Sequence, residues 1–397
     1  MHSDPNQMTP FFPEMGAELE ELGMDVVQKS SDLGGRLHPI TQQQLVEFLR
    51  ITNSYYSNLI EGHNTHPVDI ERALLKDYSE EPYQRLLQIE ARIHIEVQKR
   101  LEPKIFDLNT QICSADFIRT IHQLFYERLP VELKKIKNQK TGEELEVIPG
   151  EIRAHDVIVG QHLPPKPSAV LPFLNRFKEI YNPQSLSGTQ KIVAIAASHH
   201  RLLWIHPFSD GNGRVARLFS DAYLHHTLKT GYGLWTISRG LARHQKDYYS
   251  ALTQGDSMRQ GDYDGRGNLS QKGLNYFCQF FLKICLEQVM FTEKLLQLDE
   301  LDNRITGYVE LRRQKMLPGP EPLKSEAAFL LREAFFRGEF SRGEAPRISG
   351  LKERTARKVL TGLVKEKLLV SDTPKGKLRL NINTNAAANW FPGLFPE

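Results

Sequence analysis

The sequence predicts a mainly α-helical protein, and three observations carry that expectation. Apolar residues recur at helical spacing along most of the chain, strand signals are scarce outside one stretch at 144–163, and alanine, leucine and charged residues dominate the periodic segments. The 397 residues, 40% hydrophobic and 25% charged, have an ordinary soluble composition. A prior of roughly 100–200 residues per domain gives two or three domains. A net charge of +3 is too small to define a partner.

The start, MHSDPNQMTPFFPEM, lacks the basic-then-apolar layout of a signal peptide, and no apolar run reaches the roughly 18 residues a bilayer span needs. A cytoplasmic protein with no membrane role is expected. Cys113, Cys278 and Cys285 show no metal-ligand spacing, so buried free thiols in a reducing compartment are expected.

The first thirty-odd residues, mixed in character and broken by Gly34-Gly35, read as a loosely packed leader. Helical patterning begins near Thr41 and runs through Leu45, Phe48, Leu49 and Ile51 into SYYSNLIEG at 54–62, where Gly62 suits the position just past a helix end. A second helix is predicted from Tyr83 to Leu101, and a third after Ser114, a good N-cap. Between Glu144 and Leu163, ELEVIPGEIR and DVIVGQHL predict a hairpin or flap. Helices resume with VLPFLNRFKEIY and KIVAIAASHHRLLWI, then Leu218–Leu228, and a long helix from Ser270 to Leu298. The adjacent histidines at 199–200 and 225–226 project about 100° apart on a helix, so they serve core or surface rather than chelate jointly.

The stretch between two of these helices, HPFSDGNGRVAR at 206–217, concentrates the chemistry. Gly211 and Gly213 free the backbone to approach a ligand, and the segment runs into a helix N-terminus, where free N–H groups favour an anion. GNGRVA also satisfies G-x-G-x-x-A, but the preceding segment is helically periodic, whereas a Rossmann loop follows a buried strand. Across such a loop, Asp210 is a hard oxygen ligand suited to Mg²⁺ shared with phosphate. Asn212 and the N–H groups of Gly211 and Gly213 are placed to line phosphates, and Arg214 and Arg217 supply planar, permanently charged forks. His206 ordinarily titrates near neutrality and is the natural general base.

HPFSDGNGRVAR resembles the signature of the Fic/Doc family, HPFx(D/E)GNGRxxR, at every specified position. The resemblance implies a Fic-type helical bundle with a β-hairpin flap, and an adenylyltransferase that moves AMP from ATP to a hydroxyl of a target protein. It implies that His206 deprotonates a Ser, Thr or Tyr hydroxyl of that target, or of the chain itself. Asp210 would hold Mg²⁺, while Gly211, Asn212, Gly213, Arg214 and Arg217 would seat the ATP phosphates. GEIRAHDVIVGQHLPP at 150–165 occupies the place of the family's flap, and ISRGLARHQKDYYSAL is similar to the stretch that closes around the nucleoside, implying that Tyr248 or Tyr249 packs near adenine. Upstream, Ser57, Glu61 and Gly62 match the inhibitory motif (S/T)xxxE(G/N) of class II members. The implied role is a carboxylate, Glu61, that pairs with Arg217 and keeps ATP from its productive pose.

LPGPEP at 317–322 reads as a linker. Beyond it, two amphipathic helices and two short strands about Pro-Lys-Gly predict a winged helix-turn-helix domain. Ten Lys or Arg against three acids between Arg347 and Arg379, a balance of +7, open a route to DNA. The expected division is an N-terminal helical region carrying the inhibitory motif at 1–105, a catalytic domain at 106–300 and the winged helix at 320–397. A homodimer is compatible with all of this. Two other readings stay open: a DNA-binding regulator whose Fic-like site senses nucleotide, and a Fic enzyme that transfers another phosphate-containing group or removes AMP.

Overall fold

In a computed structural model the protein is described at residues 2–107, 109–137, 142 and 144–396. It is mainly helical. In chain order the elements are α1 (Ala17–Gly35), α2 (Pro39–Ile60), α3 (Pro67–Leu74), α4 (Pro82–Phe106), α5 (Ala115–Tyr126), β1 (Lys135–Lys137), β2 (Glu144–Glu146), α6 (Val170–Tyr181), α7 (Gln190–Ile205) and α8 (Asn212–Leu228). There follow α9 (Ile237–Arg243), α10 (Gln245–Gly255), α11 (Gln271–Leu295), α12 (Leu298–Arg313), α13 (Ala327–Arg337), β3 (Glu339–Phe340), α14 (Ala345–Ser349), α15 (Glu353–Lys365), β4 (Leu369–Val370), β5 (Leu378–Leu380) and α16 (Thr384–Trp390).

Apolar spacing explains the bundle. α7 packs against α6, α8 and α11, burying Ile192, Ile195 and Trp204 with Phe219, Leu274 and Phe281. Ser114 caps α5 through its hydroxyl, which accepts from Phe117 N at 3.1 Å. The three cysteines are buried and free. No helix among the described residues is long and apolar enough to cross a membrane.

Two expectations are corrected. Residues 17–35 are not a loose leader: α1 buries Leu19, Val26 and Leu33 and lies against α11, with Lys283 and Gln279 bonded to Glu18. Gly34-Gly35 closes that helix where it touches the backbone of Gly231. Gly231 has φ +79°, and a Cβ there would stand 1.5 Å from the Ser30 carbonyl oxygen. Gly231→Ala is therefore expected to destabilise the protein by about 3 kcal/mol or more, as backbone strain and overlap combine, visible as a lowered thermal midpoint.

The second concerns only where the hairpin begins, since a small β-hairpin is present but starts upstream of Glu144. Glu144–Glu146 pairs antiparallel with the upstream Lys135–Lys137, with Ile136 opposite Leu145. Residues 150–165 hold only a tight turn, bridged between Val159 and His162. That segment is fixed by Arg153, whose guanidinium donates to the carbonyls of His206, His155 and Pro165. Within the segment, Arg153 N donates to the Pro207 carbonyl at 3.0 Å, the His155 and Pro165 carbonyls accept from the Arg153 guanidinium, and Val159 and His162 bond each other.

After residues 314–326, which are largely irregular, come α13, the α14–turn–α15 pair and an antiparallel sheet in the order β3-β5-β4. The chain end does not stay with this unit. α16 packs on α12 and α3, and Phe391, Leu394 and Phe395 return to α2, where Tyr56 donates to the Leu394 carbonyl at 2.8 Å.

Four histidines, His94, His122, His199 and His200, are almost fully buried in the bundle. Burial disfavours their charged forms, so each titrates well below the ordinary value of 6.5. A group whose folded pKa is depressed binds more protons when unfolded, so stability falls as pH drops below 6.5. The thermal midpoint is expected to decrease by several degrees between pH 7.5 and 5.5.

Candidate active site

α7 ends at His206, which takes a left-handed conformation (φ +50°) with its N–H on the Leu202 carbonyl. The chain then crosses residues 207–210 and re-enters a helix at α8, whose N-cap is Gly211 at φ +79°. The loop is closed by Asn212: its side-chain oxygen accepts from Phe208 N at 3.0 Å and its amide donates to Phe208 O at 2.9 Å. The carboxamide thus holds the loop's shape.

A cleft of about 460 Å³ opens over this loop. Its walls include His206, Asp210–Gly213, Glu61, Ile136 and Lys137 of the hairpin, and residues 155–160. His206 stays neutral well into the acid range, its pKa lowered to about 4 by burial and then by the Arg153 charge. Asp210 accepts from the Tyr126 hydroxyl at 2.7 Å and from Arg214 at 3.3 Å. Burial opposes its charge, but Arg214 and that hydroxyl outweigh it and hold the carboxyl below its usual range.

The two arginines are each met by an acid. Arg214 pairs with Glu90, a fully buried carboxylate on α4, and its other nitrogen reaches Tyr126 and Asp210. Arg217 donates to the Ser57 hydroxyl and carbonyl, both at 2.9 Å, and to Glu61 Oε1 at 2.5 Å. Burial raises the Glu61 carboxyl, yet Arg217 and then Arg214 outweigh it and keep it ionised. The close approach needs a residue without a side chain at 213, where a Cβ would lie 2.4 Å from Glu61 Oε1.

Ser57 and Glu61 therefore meet the 206–217 segment from across the fold, while Gly62 closes the helix that carries them. The tyrosines do not join them in the same way. Tyr248 is buried, its hydroxyl 2.7 Å from His199 Nε2, while Tyr249, 47% exposed, donates to the Ile60 carbonyl at 3.1 Å. Sequence reasoning missed Glu90, Arg153, Tyr126 and Lys137. Each is an ordinary polar residue in its own neighbourhood, and only contacts far along the chain bring it to the site.

Residues 112–224 match the Fic/DOC family. The matched segment runs from just before α5 to near the end of α8 and contains the whole of 206–217, whereas Ser57–Gly62 lie outside it. The chain is 29% identical over 201 residues to a protein adenylyltransferase Fic from Nematostella vectensis, covering 50% of this chain and 42% of that protein. A second such protein, from Drosophila virilis, is 29% identical over 147 residues, 36% of this chain and 30% of its own. The chain thus spans less than half the length of these relatives. A Fic family protein from Desulfovibrio desulfuricans G20 shares the fold over 93% of this chain and 97% of its own (TM-score 0.53, 16% identity). Fic-1 of C. elegans shares it over 70% and 73% (TM-score 0.52, 15% identity).

Proposed function

We propose that this chain is a protein adenylyltransferase held in check by Glu61. The observation that carries the reading is one cleft lined by a neutral imidazole, an ionised carboxylate and a helix N-terminus backed by two buried arginines, within a Fic/DOC segment. Its volume falls in the range of about 300–1,000 Å³ usual for small-molecule sites.

In this reading ATP lies with its phosphates over the start of α8. His206 takes the proton from a target Ser, Thr or Tyr hydroxyl, whose oxygen forms a bond to the α-phosphorus. The bond from that phosphorus to the bridging oxygen breaks, and pyrophosphate leaves. Arg214 and Arg217 stabilise charge on the phosphate oxygens. No group of three or more His, Cys, Asp or Glu side chains among the described residues could cage a metal. A single ionised carboxylate suits Mg²⁺, which keeps several waters and shares phosphate ligands, so Asp210 fits that ion. When bound, Mg²⁺ would neutralise charge on the polyphosphate.

The contact between Glu61 and Arg217 supports inhibition, since the carboxylate occupies the guanidinium that a terminal phosphate would need. Mass spectrometry of the Glu61→Gly protein with Mg-ATP tests both points: a gain of one AMP on itself or an added protein is expected, and an unmodified mass in all samples would reject the reading. For residues beyond the 314–326 stretch, α13, the α14–turn–α15 pair and the three-stranded sheet support a winged helix. Arg354, Arg357 and Lys358 are exposed on α15, which supports contact with DNA phosphate, although Arg357 is paired with Glu353 at 2.5 Å.

A further inference from the structure

The end of α2 is built to hold more than Glu61. Gly62, at φ +87°, turns the chain so that its N–H meets the Leu59 carbonyl at 2.9 Å and the His63 N–H meets the Asn58 carbonyl at 3.0 Å. That pair of bonds closes the helix as a Schellman motif. It also fixes where the next side chain goes. His63 Nδ1 lies 2.6 Å from Glu90 Oε2, while Glu90 Oε1 is the oxygen that pairs with Arg214. Glu90 is fully buried and His63 is 27% exposed at its side chain.

A buried carboxylate between an arginine and a histidine does two jobs. Toward α8 it fixes the guanidinium of Arg214, leaving one nitrogen for Tyr126 and Asp210. Toward α2 it anchors the residue two positions after Glu61. The segment that carries Glu61 is thus fastened to the catalytic loop directly, through Arg217, and indirectly, through His63, Glu90 and Arg214.

We propose that Glu90 is a positioning residue shared by the catalytic loop and the inhibitory segment, and that His63 on Glu90 is a second fastening point that keeps Glu61 in the cleft. This rests on the adenylyl-transfer reading and on inhibition by Glu61. The charged groups facing His63 are Glu90 on α4, Arg214 on α8 and Glu61 beside it. The hydrogen bond to Glu90 favours the imidazolium over the burial and the Arg214 charge that oppose it, so His63 titrates above its ordinary value. Protonated His63 makes the stronger bond, so the fastening tightens in acid and slackens as pH rises through that titration.

The test uses the full chain and labelled Mg-ATP, comparing the parent, His63→Ala, His63→Gln, Glu61→Gly and the Glu61→Gly/His63→Ala double variant from pH 6 to 8.5. His63→Ala should raise AMP incorporation roughly tenfold over the parent, the weight of one charge-assisted hydrogen bond. In the Glu61→Gly background the same change should move the rate less than about twofold, because its effect passes through Glu61. The ratio of Glu61→Gly to parent rates should fall as pH rises. With His63→Ala or His63→Gln in place of the parent, the ratio should be independent of pH, the Gln variant keeping part of the inhibition. Unchanged labelling by His63→Ala, an equal effect in both backgrounds, or a pH-independent parent ratio would overturn the proposal. No labelling by Glu61→Gly would instead reject the adenylyl-transfer reading beneath it.

Discussion

Replacing Glu61 with glycine is expected to raise AMP incorporation from Mg-ATP by on the order of 100-fold. The size follows from what the carboxylate does. Glu61 Oε1 sits 2.5 Å from an Arg217 nitrogen in a site where that arginine is almost fully buried. A charge-assisted bond to a buried group contributes about 1.5–3 kcal/mol, and each 1.4 kcal/mol is tenfold in an equilibrium. Any phosphate oxygen that uses the same nitrogen must first displace the carboxylate. Without Glu61, Arg217 keeps its two bonds to Ser57 and so stays in place. Glu61→Gln separates charge from bulk: it keeps a side chain of the same size but loses the ion pair, so its rate should fall between those of the parent and Glu61→Gly. Equal rates for parent and Glu61→Gly, with both proteins folded, would remove Glu61 from any inhibitory role.

The parts of this arrangement that could be read from the sequence are those in which chemistry is local. The 206–217 loop is one, because its histidine, acid, glycines and arginines lie within twelve consecutive positions. α2, α4, α7 and α11 are others, since their apolar stripes are long enough to fix their type and place, although α4 runs on to Phe106, past the predicted end at Leu101. Ser57, Glu61 and Gly62 were legible as a motif, but the meeting of Ser57 and Glu61 with Arg217 depends on packing across the bundle.

What was not legible depends on distant partners. Glu90 looks like a solvated helix charge, and nothing near it in the chain signals that Arg214 and His63 enclose it. Arg153 likewise shows its value only when the His206 and Pro165 carbonyls converge on it. The hairpin was misplaced because Glu144–Glu146 has β character but its partner, Lys135–Lys137, is short and charged. The return of the chain end to Tyr56 gave no periodic signal, being aromatic residues scattered about a short helix.

Replacing His206 with alanine in the Glu61→Gly background is expected to abolish transfer while leaving nucleotide bound. Loss of a positioned general base lowers rates by about 10²–10⁴-fold, enough to erase the gain from removing Glu61. Binding should persist because the groups assigned to the phosphates lie at the N-cap and on α8, whose start is held by the bonds of Asn212 to Phe208 and not by His206. Titration with a fluorescent ATP analogue checks this, and a dissociation constant within about threefold of the Glu61→Gly protein is expected. The pH dependence gives a second check. Burial disfavours the imidazolium, so His206 is lowered to about 4 and remains a competent base throughout pH 6–8. The Glu61→Gly rate should therefore be flat across that window and fall only in more acid solution, as the imidazole gains its proton. A midpoint near 6.5 in that profile would mean that the base is a fully exposed group and not the partly buried imidazole at the end of α7. Full activity of the His206→Ala protein would reject the mechanism itself, whatever became of Glu61.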